Sequence, residues 1–307
     1  MTATVSSTAP AAPTTPPAAA VPERHVPLAH RVPRTLSRVA WYLLCGLLAL
    51  SMLLPLVWMV SIALKSDGDV NQIPPEFFPN EFQLANFVDG PAEIHFYRLL
   101  ANTMIVTVLS AFGAVASSMI VGYGISRIDF PGRNVWFALI AGSLFVPGVV
   151  ALIPLQHLYI NLGLIDTWVP LILPAFFGSP IFIFLARQYY QSIPRYLDES
   201  ALIDGAGHWT IFTRIMIPIT KPVWITVAIM SFQLAWNDFL NPLVYLQSQE
   251  KFTLPLGMAS FLSDTAGSQY NYYMATNVLF MLPPLVLFFL AQRYFMEGIG
   301  SLGTISK

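Results

Sequence analysis

Long apolar runs separated by short polar segments make up most of this chain. The first run, residues 39–64, contains no charged side chain, and five further runs follow it. A helix needs about 20 residues, at ~1.5 Å each, to cross a bilayer. The predicted spans are about 39–64, 103–125, 135–158, 168–186, 222–246 and 274–290. Because backbone groups in hydrocarbon must be hydrogen-bonded within their own segment, the pattern predicts an all-α polytopic membrane protein with six transmembrane helices.

Prolines inside these runs predict that several of the helices are kinked. A proline removes a backbone donor and its ring clashes with the preceding turn of a helix. The prolines concerned are Pro55, Pro147, Pro154, Pro174, Pro180, Pro283 and Pro284. Kinked helices suit a structure that surrounds a cavity.

The two ends of the chain differ in composition from the spanning domain, which we place at 36–300. Residues 1–35 are rich in Ala, Pro, Thr and Val and carry too little large apolar surface to offset the entropy lost on ordering. We predict a disordered cytoplasmic tail there and a short cytoplasmic tail at 301–307. The first apolar run exceeds the roughly 7–15 residues of a signal-peptide core and ends at Lys65, which predicts an uncleaved first span.

The overall composition supports a membrane protein and argues against several other classes. The chain has 307 residues, of which 55% are hydrophobic and 10% charged, whereas soluble domains carry about a quarter charged residues. A net charge of −1 without a basic stripe argues against a nucleic-acid partner. The single cysteine, Cys45, excludes an intrachain disulfide.

The distribution of basic residues predicts the orientation. If the N-terminus is cytoplasmic, three of the fifteen Lys and Arg residues fall outside, namely Lys65, Arg98 and Lys251. Cytoplasmic loops carry the excess of Lys and Arg in membrane proteins. We therefore predict cytoplasmic N- and C-termini and a multi-pass location in the cytoplasmic (inner) cell membrane.

The longest inner loop, residues 187–221, is predicted to be structured. Pro194 can open a helix at its first turn, and Gly205 then breaks the helical pattern, as glycine does where a chain turns sharply. A second short helix is predicted from about His208 to Met216. The result is a helix–turn–helix on the cytoplasmic face. The alternative is an amphipathic connector that lies on the lipid surface.

The same loop carries a motif. It reads Glu199-Ser200-Ala201-Leu202-Ile203-Asp204-Gly205-Ala206, with Ile215-Met216-Ile217-Pro218 downstream. This stretch resembles the "EAA" loop of the membrane subunits of ATP-binding-cassette importers. Ser200 replaces the usual Ala, and Ile217 replaces the more common Leu.

Other segments resemble the carbohydrate-uptake branch of these permeases, and in particular its smaller maltose permease subunit. They are Asn161-Leu162-Gly163-Leu164, Arg187-Gln188, Ser192-Ile193-Pro194 and Gln292-Arg293-Tyr294-Phe295-Met296-Glu297-Gly298. The resemblance covers nearly all of 36–300. The ending Ser301 to Lys307 differs from that of relatives.

The resemblance implies a type I ABC importer permease fold and a pore-forming subunit that moves a sugar or related polyol. It implies that the loop contacts an ATPase. The residues implied in this coupling are Glu199, Ser200, Ala201, Asp204, Gly205, Ala206, Ile215 and Pro218. The implied partners are two copies of an ATPase, a second and different permease subunit, an extracytoplasmic solute-binding protein and the lipid bilayer. No cofactor is expected on this chain, and ATP and Mg would be bound by the partner ATPase.

The fifth span contains the candidate substrate-pathway residues, because polar groups within apolar spans are costly and mark functional sites. The candidates are Gln233, Trp236, Asn237, Asp238 and Asn241. Aromatic faces stack on sugars, and amides and carboxylates bind hydroxyls. Alternatively, Asp238 lies ~24 Å along a helix from Pro222, near the outer edge of a ~30 Å core, and is simply wetted. Asn102 and Thr103 are weaker candidates. His157 and His208 lack a second ligand nearby, so no metal site is expected.

Two other functions remain as alternatives to an importer subunit. A stand-alone secondary transporter or channel for a small polar solute would usually show repeats or charged residues in mid-membrane, and the spans carry almost none. An enzyme would need a recognisable catalytic motif. The sequence has no HExxH, no nucleophile elbow and no phosphate-binding G-x-x-x-x-G-K-[ST] run. Any ATP hydrolysis would therefore occur on a partner chain.

Overall fold

A computed structural model describes residues 34–265 and 268–303, with side chains described for 38–265 and 268–292. Within these ranges the regular elements are helices. The helices are α1 Arg34–Ala63, α2 Asp67–Val70, α3 Asn86–Glu93, α4 Phe96–Arg127, α5 Arg133–Ser143, α6 Gly148–Asn161, α7 Val169–Phe176, α8 Pro180–Ser192, α9 Tyr196–Ile203, α10 His208–Thr210, a π-helix Ile211–Met216, α11 Ile217–Ile219, α12 Lys221–Trp236, α13 Leu240–Tyr245, a 3₁₀-helix Gln249–Lys251, α14 Leu254–Asp264 and α15 Tyr270–Gly303. The predicted tail at 1–35, except its last two residues, and residues 304–307 of the predicted C-terminal tail lie outside the described residues.

Four segments are long and apolar enough to cross a membrane as they stand. They are Arg38–Ala63, Phe96–Arg127, Val169–Ser192 and Tyr270–Gln292. Two further pairs of helices meet the same criteria but are sharply bent, so the described residues supply four spans, or up to six if each bent pair is one span. The prediction of an all-helical polytopic chain is confirmed at this level.

The third predicted span, 135–158, is not one helix. It consists of α5 and α6, which meet at an angle of 97°. The break covers residues 144–147, and Pro147 caps the start of α6 in an extended conformation. A proline cannot donate to the preceding turn, and the bend lies where the sequence predicted a kink at Pro147.

The helix over the fifth predicted span, 222–246, is also interrupted. α12 ends at Trp236, and α13 begins only at Leu240. Pro242 lies within α13 and has no N–H to bond the carbonyl of Asp238, so a helix cannot continue through this point with full hydrogen bonding. At its other end, α12 makes an angle of 79° with the helical segment His208–Ile219.

The chain divides into two units, residues 1–53 and 54–307. In the described part of the first unit, large apolar side chains on all sides of α1, from Val39 to Leu53, are exposed. A helix that is hydrophobic all round is suited to a lipid environment.

In the second unit, α4 lies at the centre and packs against α7, α8 and α12, while α12 also packs against α15. Gly122 on α4 allows a close approach to α8. A Cβ built at this glycine would lie 2.7 Å from the Cβ of Ala186 on α8 and 3.2 Å from the backbone nitrogen of Arg187. The two helices therefore touch through backbone and methyl surfaces.

Candidate functional site

The loop 187–221 folds into two helical arms joined by a glycine turn. α9 begins two residues after Pro194 and carries Asp198 and Glu199 in its first turn, where the helix dipole favours negative charge. Gly205 has a φ of +83°. Its N–H bonds the carbonyl of Leu202 at 3.0 Å, and the N–H of Ala206 bonds the carbonyl of Ala201 at 2.9 Å. This pair of bonds is the Schellman motif that ends many helices at a glycine.

The second arm contains a π-helix. The helix predicted from His208 to Met216 exists, but residues 211–216 are wound with i→i+5 geometry. Pro218 lies four residues after Arg214 and cannot donate to its carbonyl, which favours the wider winding here. π-Helical turns often occur at functional positions.

Both arms rest on one buried cluster formed with α4, α8 and α12. Its members are Met119, Tyr123, Ala186, Tyr190, Ile193, Ala201, Ile211, Phe212, Met216 and Val223. Tyr123 meets the edge of Tyr190 at 5.8 Å and lies 5.2 Å from Phe212 between ring centroids. The small side chain of Ala201 is buried in this cluster. The face of α9 that carries Ala201 therefore packs against the chain's own core.

The remaining predicted coupling residues lie on the outer surface of the loop or at its edge. Glu199, Ser200, Asp204, Gly205 and Pro218 are exposed. Ala206 and Ile215 are half-buried and pack against the cluster.

Next to these residues lies an uncovered apolar patch, which sequence reasoning missed. We call Tyr196, Leu202, Ile203 and Trp209 the apolar patch of the loop; Ile203 is 86% exposed and Trp209 is 67% exposed. An apolar patch rimmed by polar residues marks an interaction surface. The sequence signal was present, because Leu202 and Ile203 lie within the motif.

A buried ion pair fixes the base of α9, and sequence reasoning missed this pair too. Nη1 of Arg127, the last residue of α4, lies 2.8 Å from Oδ2 of Asp198, and their side chains are 3% and 15% exposed. Nη2 of Arg127 donates to the carbonyl oxygens of Tyr190 and Ile193. One guanidinium thus joins the ends of α4 and α8 to the first turn of α9.

The substrate-pathway candidates are divided between two cavities. Gln233 and Asn237 line a cavity of about 710 Å³ between α8, α12 and α15. Asp238 and Asn241 line another of about 700 Å³, with Ser110 of α4 and Ser179 beside α8. Both cavities have mostly apolar walls with a few polar groups, the usual character of small-molecule sites.

Trp236 is placed differently from the other four candidates. It is fully buried, stacked between Phe232 at 5.4 Å and Phe280 at 5.2 Å, and it lines neither cavity. Its ring faces other aromatic rings and is unavailable to a solute in this conformation. This arrangement follows from its position as the last residue of α12, beside α15.

The polar candidates also bond to one another. Asn237 donates from Nδ2 to the carbonyl of Gln233 at 2.8 Å. The carboxylate of Asp238 accepts from the backbone and the side chain of Asn241, at 3.2 and 2.8 Å. These bonds satisfy the backbone where α12 gives way to α13, so the four residues have a structural role as well as a position beside a cavity.

Asn102 and Thr103 hold the segment before α14 through hydrogen bonds. The Asn102 amide donates to the carbonyls of Glu250 and Phe252, at 2.8 and 2.9 Å. Thr103 accepts from the backbone N–H of Leu254 at 2.7 Å. Both side chains are buried.

Asp166, in the loop between α6 and α7, binds the segment 247–251, and sequence reasoning missed this residue too. We call these contacts the clasp of Asp166. Its carboxylate accepts from the backbone N–H groups of Gln247 and Ser248, from the Ser248 hydroxyl at 2.6 Å and from Lys251 Nζ at 2.8 Å. These donors, Lys251 first, hold the pKa of this carboxyl well below its ordinary value. Asp166 has a φ of +58°, a conformation that Asp tolerates better than most residues.

Among the described residues, no group of three or more His, Cys, Asp or Glu side chains is arranged to hold a metal ion.

Comparison with known proteins gives a consistent result. The sequence profile of the family described as "Binding-protein-dependent transport system inner membrane component" matches residues 114–300. The chain is 33% identical over 278 residues to the arabinooligosaccharides transport system permease protein AraQ of Bacillus subtilis (strain 168), covering 89% of this chain and 97% of AraQ.

Two further relatives and one solved structure extend the comparison. The chain is 29% identical to the melibiose/raffinose/stachyose import permease protein MelC of Bacillus subtilis (strain 168), covering 88% of this chain and 98% of MelC. It is 28% identical to the sn-glycerol-3-phosphate transport system permease protein UgpE of Agrobacterium fabrum (strain C58 / ATCC 33970), with 87% and 97% covered. Its fold is similar to a chain of a bacterial ABC transporter that imports the acidic polysaccharide alginate, with a TM-score of 0.76, 25% identity, and 88% and 99% covered.

Proposed function

The chain belongs to the family of binding-protein-dependent transport system inner membrane components, and on this premise we propose that it forms part of the membrane pore of an ATP-binding-cassette importer for a sugar or related polyol. The match over 114–300 and the likeness to an importer subunit of known structure support this function. The alternative of a stand-alone secondary transporter or channel receives no support from these comparisons.

The loop 187–221 is the contact with the ATPase in this proposal. The observation that carries it is the surface of α9, which buries Ala201 in the chain's own core and leaves Leu202 and Ile203 uncovered beside Glu199 and Asp204. Burial of an uncovered apolar patch against a partner stabilises the complex, because apolar surface is removed from water. The flanking carboxylates fix the orientation of docking. ATP is hydrolysed on the partner chain.

The orientation follows from the same assignment. The loop and both termini lie in the cytoplasm, and six spans cross the cytoplasmic membrane, with α5 and α6 together forming the third span and α12, which follows the loop, lying in the fifth. An extracytoplasmic solute-binding protein delivers the solute to the opposite face. Two ATPase copies and a second, different permease subunit complete the assembly.

The substrate class is proposed from the cavities together with the relatives. Amide and carboxylate groups of Gln233, Asn237, Asp238 and Asn241 stand beside mostly apolar walls, a combination that suits the hydroxyls and apolar faces of a sugar. The relatives described above are transport proteins for arabinooligosaccharides, for melibiose, raffinose and stachyose, and for sn-glycerol-3-phosphate. ATP-driven rearrangement of the subunits would expose the cavities alternately to the two sides.

Co-purification tests the proposal directly. The affinity-tagged chain, extracted in mild detergent from its native host, is expected to retain an ATPase and a second permease. Ile203→Glu places a charge in the apolar patch and is expected to release the ATPase while the chain remains in the membrane. Val88→Glu is the matched control, because Val88 on α3 is an apolar side chain of comparable exposure outside the loop.

Two results would count against the assignment. Retention of the ATPase by Ile203→Glu at the wild-type level would remove the apolar patch from the interface. Full solute transport by the purified chain alone in liposomes would instead favour the stand-alone transporter.

A further inference from the structure

Arg127 connects three helices that also pack together in the buried cluster under the loop. It lies at the last residue of α4, and its side chain is 3% exposed. Nη1 bonds Asp198 in the first turn of α9, and Nη2 bonds the carbonyls of Tyr190 and Ile193 at the end of α8. The loop and the two helices beside it therefore share one cation.

The guanidinium suits this position for a physical reason. The carbonyls at the end of α8 carry the negative end of its dipole, and that of Tyr190 already accepts a bond from the N–H of Ile193 at 3.2 Å. Asp198 adds a full negative charge from a different element. A planar guanidinium with five donors can bond all three acceptors together, whereas a lysine presents a point charge.

The ion pair uses only part of its bonding capacity. Nε of Arg127 and Oδ1 of Asp198 are both buried and have no hydrogen-bond partner. Arginine and carboxylate groups commonly pair through two parallel bonds, but here Nη2, which would complete the fork beside Nη1, is bonded to the carbonyls of Tyr190 and Ile193. Buried polar atoms without partners are rare and call for an explanation.

We propose that Arg127 is a positioning residue that ties α9 to the ends of α4 and α8, so that movement of the loop is transmitted to these spans. The inference rests on the proposed function, since it presupposes that the loop is moved by an ATPase. Loss of the guanidinium leaves α9 attached to the core mainly through Ala201 and its apolar neighbours. The loop can then move without displacing α4.

The experiment uses the whole importer reconstituted in liposomes, with solute uptake and ATP hydrolysis measured on the same sample. Arg127→Met removes the cation and keeps much of the side-chain volume. Because hydrogen bonds to charged groups are worth more than a kcal/mol each, we expect uptake per ATP hydrolysed to fall about tenfold while the ATPase still co-purifies. Arg127→Lys keeps the charge but loses the planar guanidinium with its five donors. We expect it to give an intermediate ratio of uptake to ATP hydrolysis.

Arg133→Met is the matched control. Arg133 bonds Asp129 and the carbonyl of Ile128 within its own loop and touches neither α8 nor α9 through these bonds. Its removal is expected to leave the ratio of uptake to hydrolysis unchanged. A purely structural role for Arg127 would lower the amount of assembled importer without changing this ratio, because the ratio is independent of yield.

Asp198→Asn decides the question if Arg127→Met fails to insert. The asparagine keeps the size of the side chain and removes only its charge, and we expect a several-fold fall in the ratio. A wild-type ratio in Asp198→Asn or in Arg127→Met overturns the inference while leaving the proposed function intact. Failure of the wild-type chain to retain any ATPase overturns the proposed function itself, and the inference with it.

Discussion

Gly205 is the residue whose backbone decides the shape of the loop. Its φ of +83° lies in the left-handed region, and an added Cβ would meet no atom within 4 Å. The cost of a side chain here is therefore conformational rather than steric. For an L-residue other than Gly, Asn or Asp this cost is about 1–2 kcal/mol.

We predict that Gly205→Ala lowers the free energy of unfolding by about 1 kcal/mol and that Gly205→Asn lowers it less, because Asn tolerates this region. The measurement is thermal or denaturant unfolding in detergent micelles. Gly207→Ala is the control, since Gly207 also has open space around it but a φ of −75°. Equal losses at 205 and 207 would contradict a conformational origin.

Asp166 gives the chain a residue-specific dependence on pH. Its pKa is lowered chiefly by the hydrogen bond from Lys251 and then by those from Ser248 and Gln247. A carboxyl whose folded-state pKa is lowered contributes stability that is fully present above its ordinary pKa of about 3.9 and is lost as the pH falls through the lowered value.

We therefore predict that Asp166→Asn destabilises the protein at pH 7 and that its deficit relative to wild type shrinks as the pH falls below about 4. Melting temperatures measured from pH 7 to pH 3 test this. Asp264→Asn, which removes only an exposed carboxylate with a 3.4 Å contact to Ser260, is expected to have little effect on stability. A deficit for Asp166→Asn that does not change with pH would show that its charge is irrelevant.

At the scale of elements, the sequence indicated where the apolar helices lie but not every break in them, and not the short helices α2, α3 and α14 in the connecting segments. The length of an apolar run shows where a span lies. A helix within that span ends or bends where a backbone hydrogen bond cannot be made. Pro147 and Pro180 were visible as breaking points, and both stand at or beside the start of a helix. The end of α12 at Trp236 depended on Pro242, six residues beyond, and on the Asp238–Asn241 bonds that stabilise the gap.

The contacts across elements could not be predicted from the sequence. Gly205 signals its role locally, because a helical pattern stops at it. Arg127 and Asp198 are 71 residues apart, and nothing in the local pattern of either indicates the other. The placement of Trp236 could not be predicted for a related reason. Its polar neighbours in the sequence suggested that it lines a cavity, but Phe280 of α15 stacks on its ring and covers it.

Gly122 controls the distance between α4 and α8. We predict that Gly122→Ala lowers the free energy of unfolding by about 1–3 kcal/mol, because a new methyl group 2.7 Å from that of Ala186 forces the helices apart, and overpacking has costs of this size. The buried cluster under the loop includes Ala186, so uptake should fall as well.

The control for this change lies two residues away on the same helix. Gly124 has no atom within 4 Å of an added Cβ, so Gly124→Ala should be neutral or stabilising by up to about 1 kcal/mol, the usual difference in helix propensity. Unfolding in micelles compares the two variants. A loss at Gly124 as large as that at Gly122 would point to a general intolerance of α4 rather than to a close contact.

For the whole molecule, the orientation in the membrane links the separate surfaces into one mechanism. The ion pair Arg127–Asp198, the apolar patch of the loop and the motif around Glu199 lie within one loop and its supporting helix ends. The clasp of Asp166 and Lys251 joins other connecting segments. An ATPase can reach the first group only if that group faces the cytoplasm.

Cysteine labelling measures this directly. Cys45 is the only cysteine, so Cys45→Ser gives a background in which single cysteines can be introduced. Glu81→Cys, in the exposed segment between α2 and α3, is expected to react with a membrane-impermeant maleimide in intact cells. Ser192→Cys, exposed at the end of α8, is expected to react only after the membrane is permeabilised, because Lys and Arg are retained on the cytoplasmic side. With the chain expressed without its partners, neither position is covered by another subunit. The reverse pattern would place the loop outside the cell, where no ATP is supplied, and would remove the physical basis for coupling through α9.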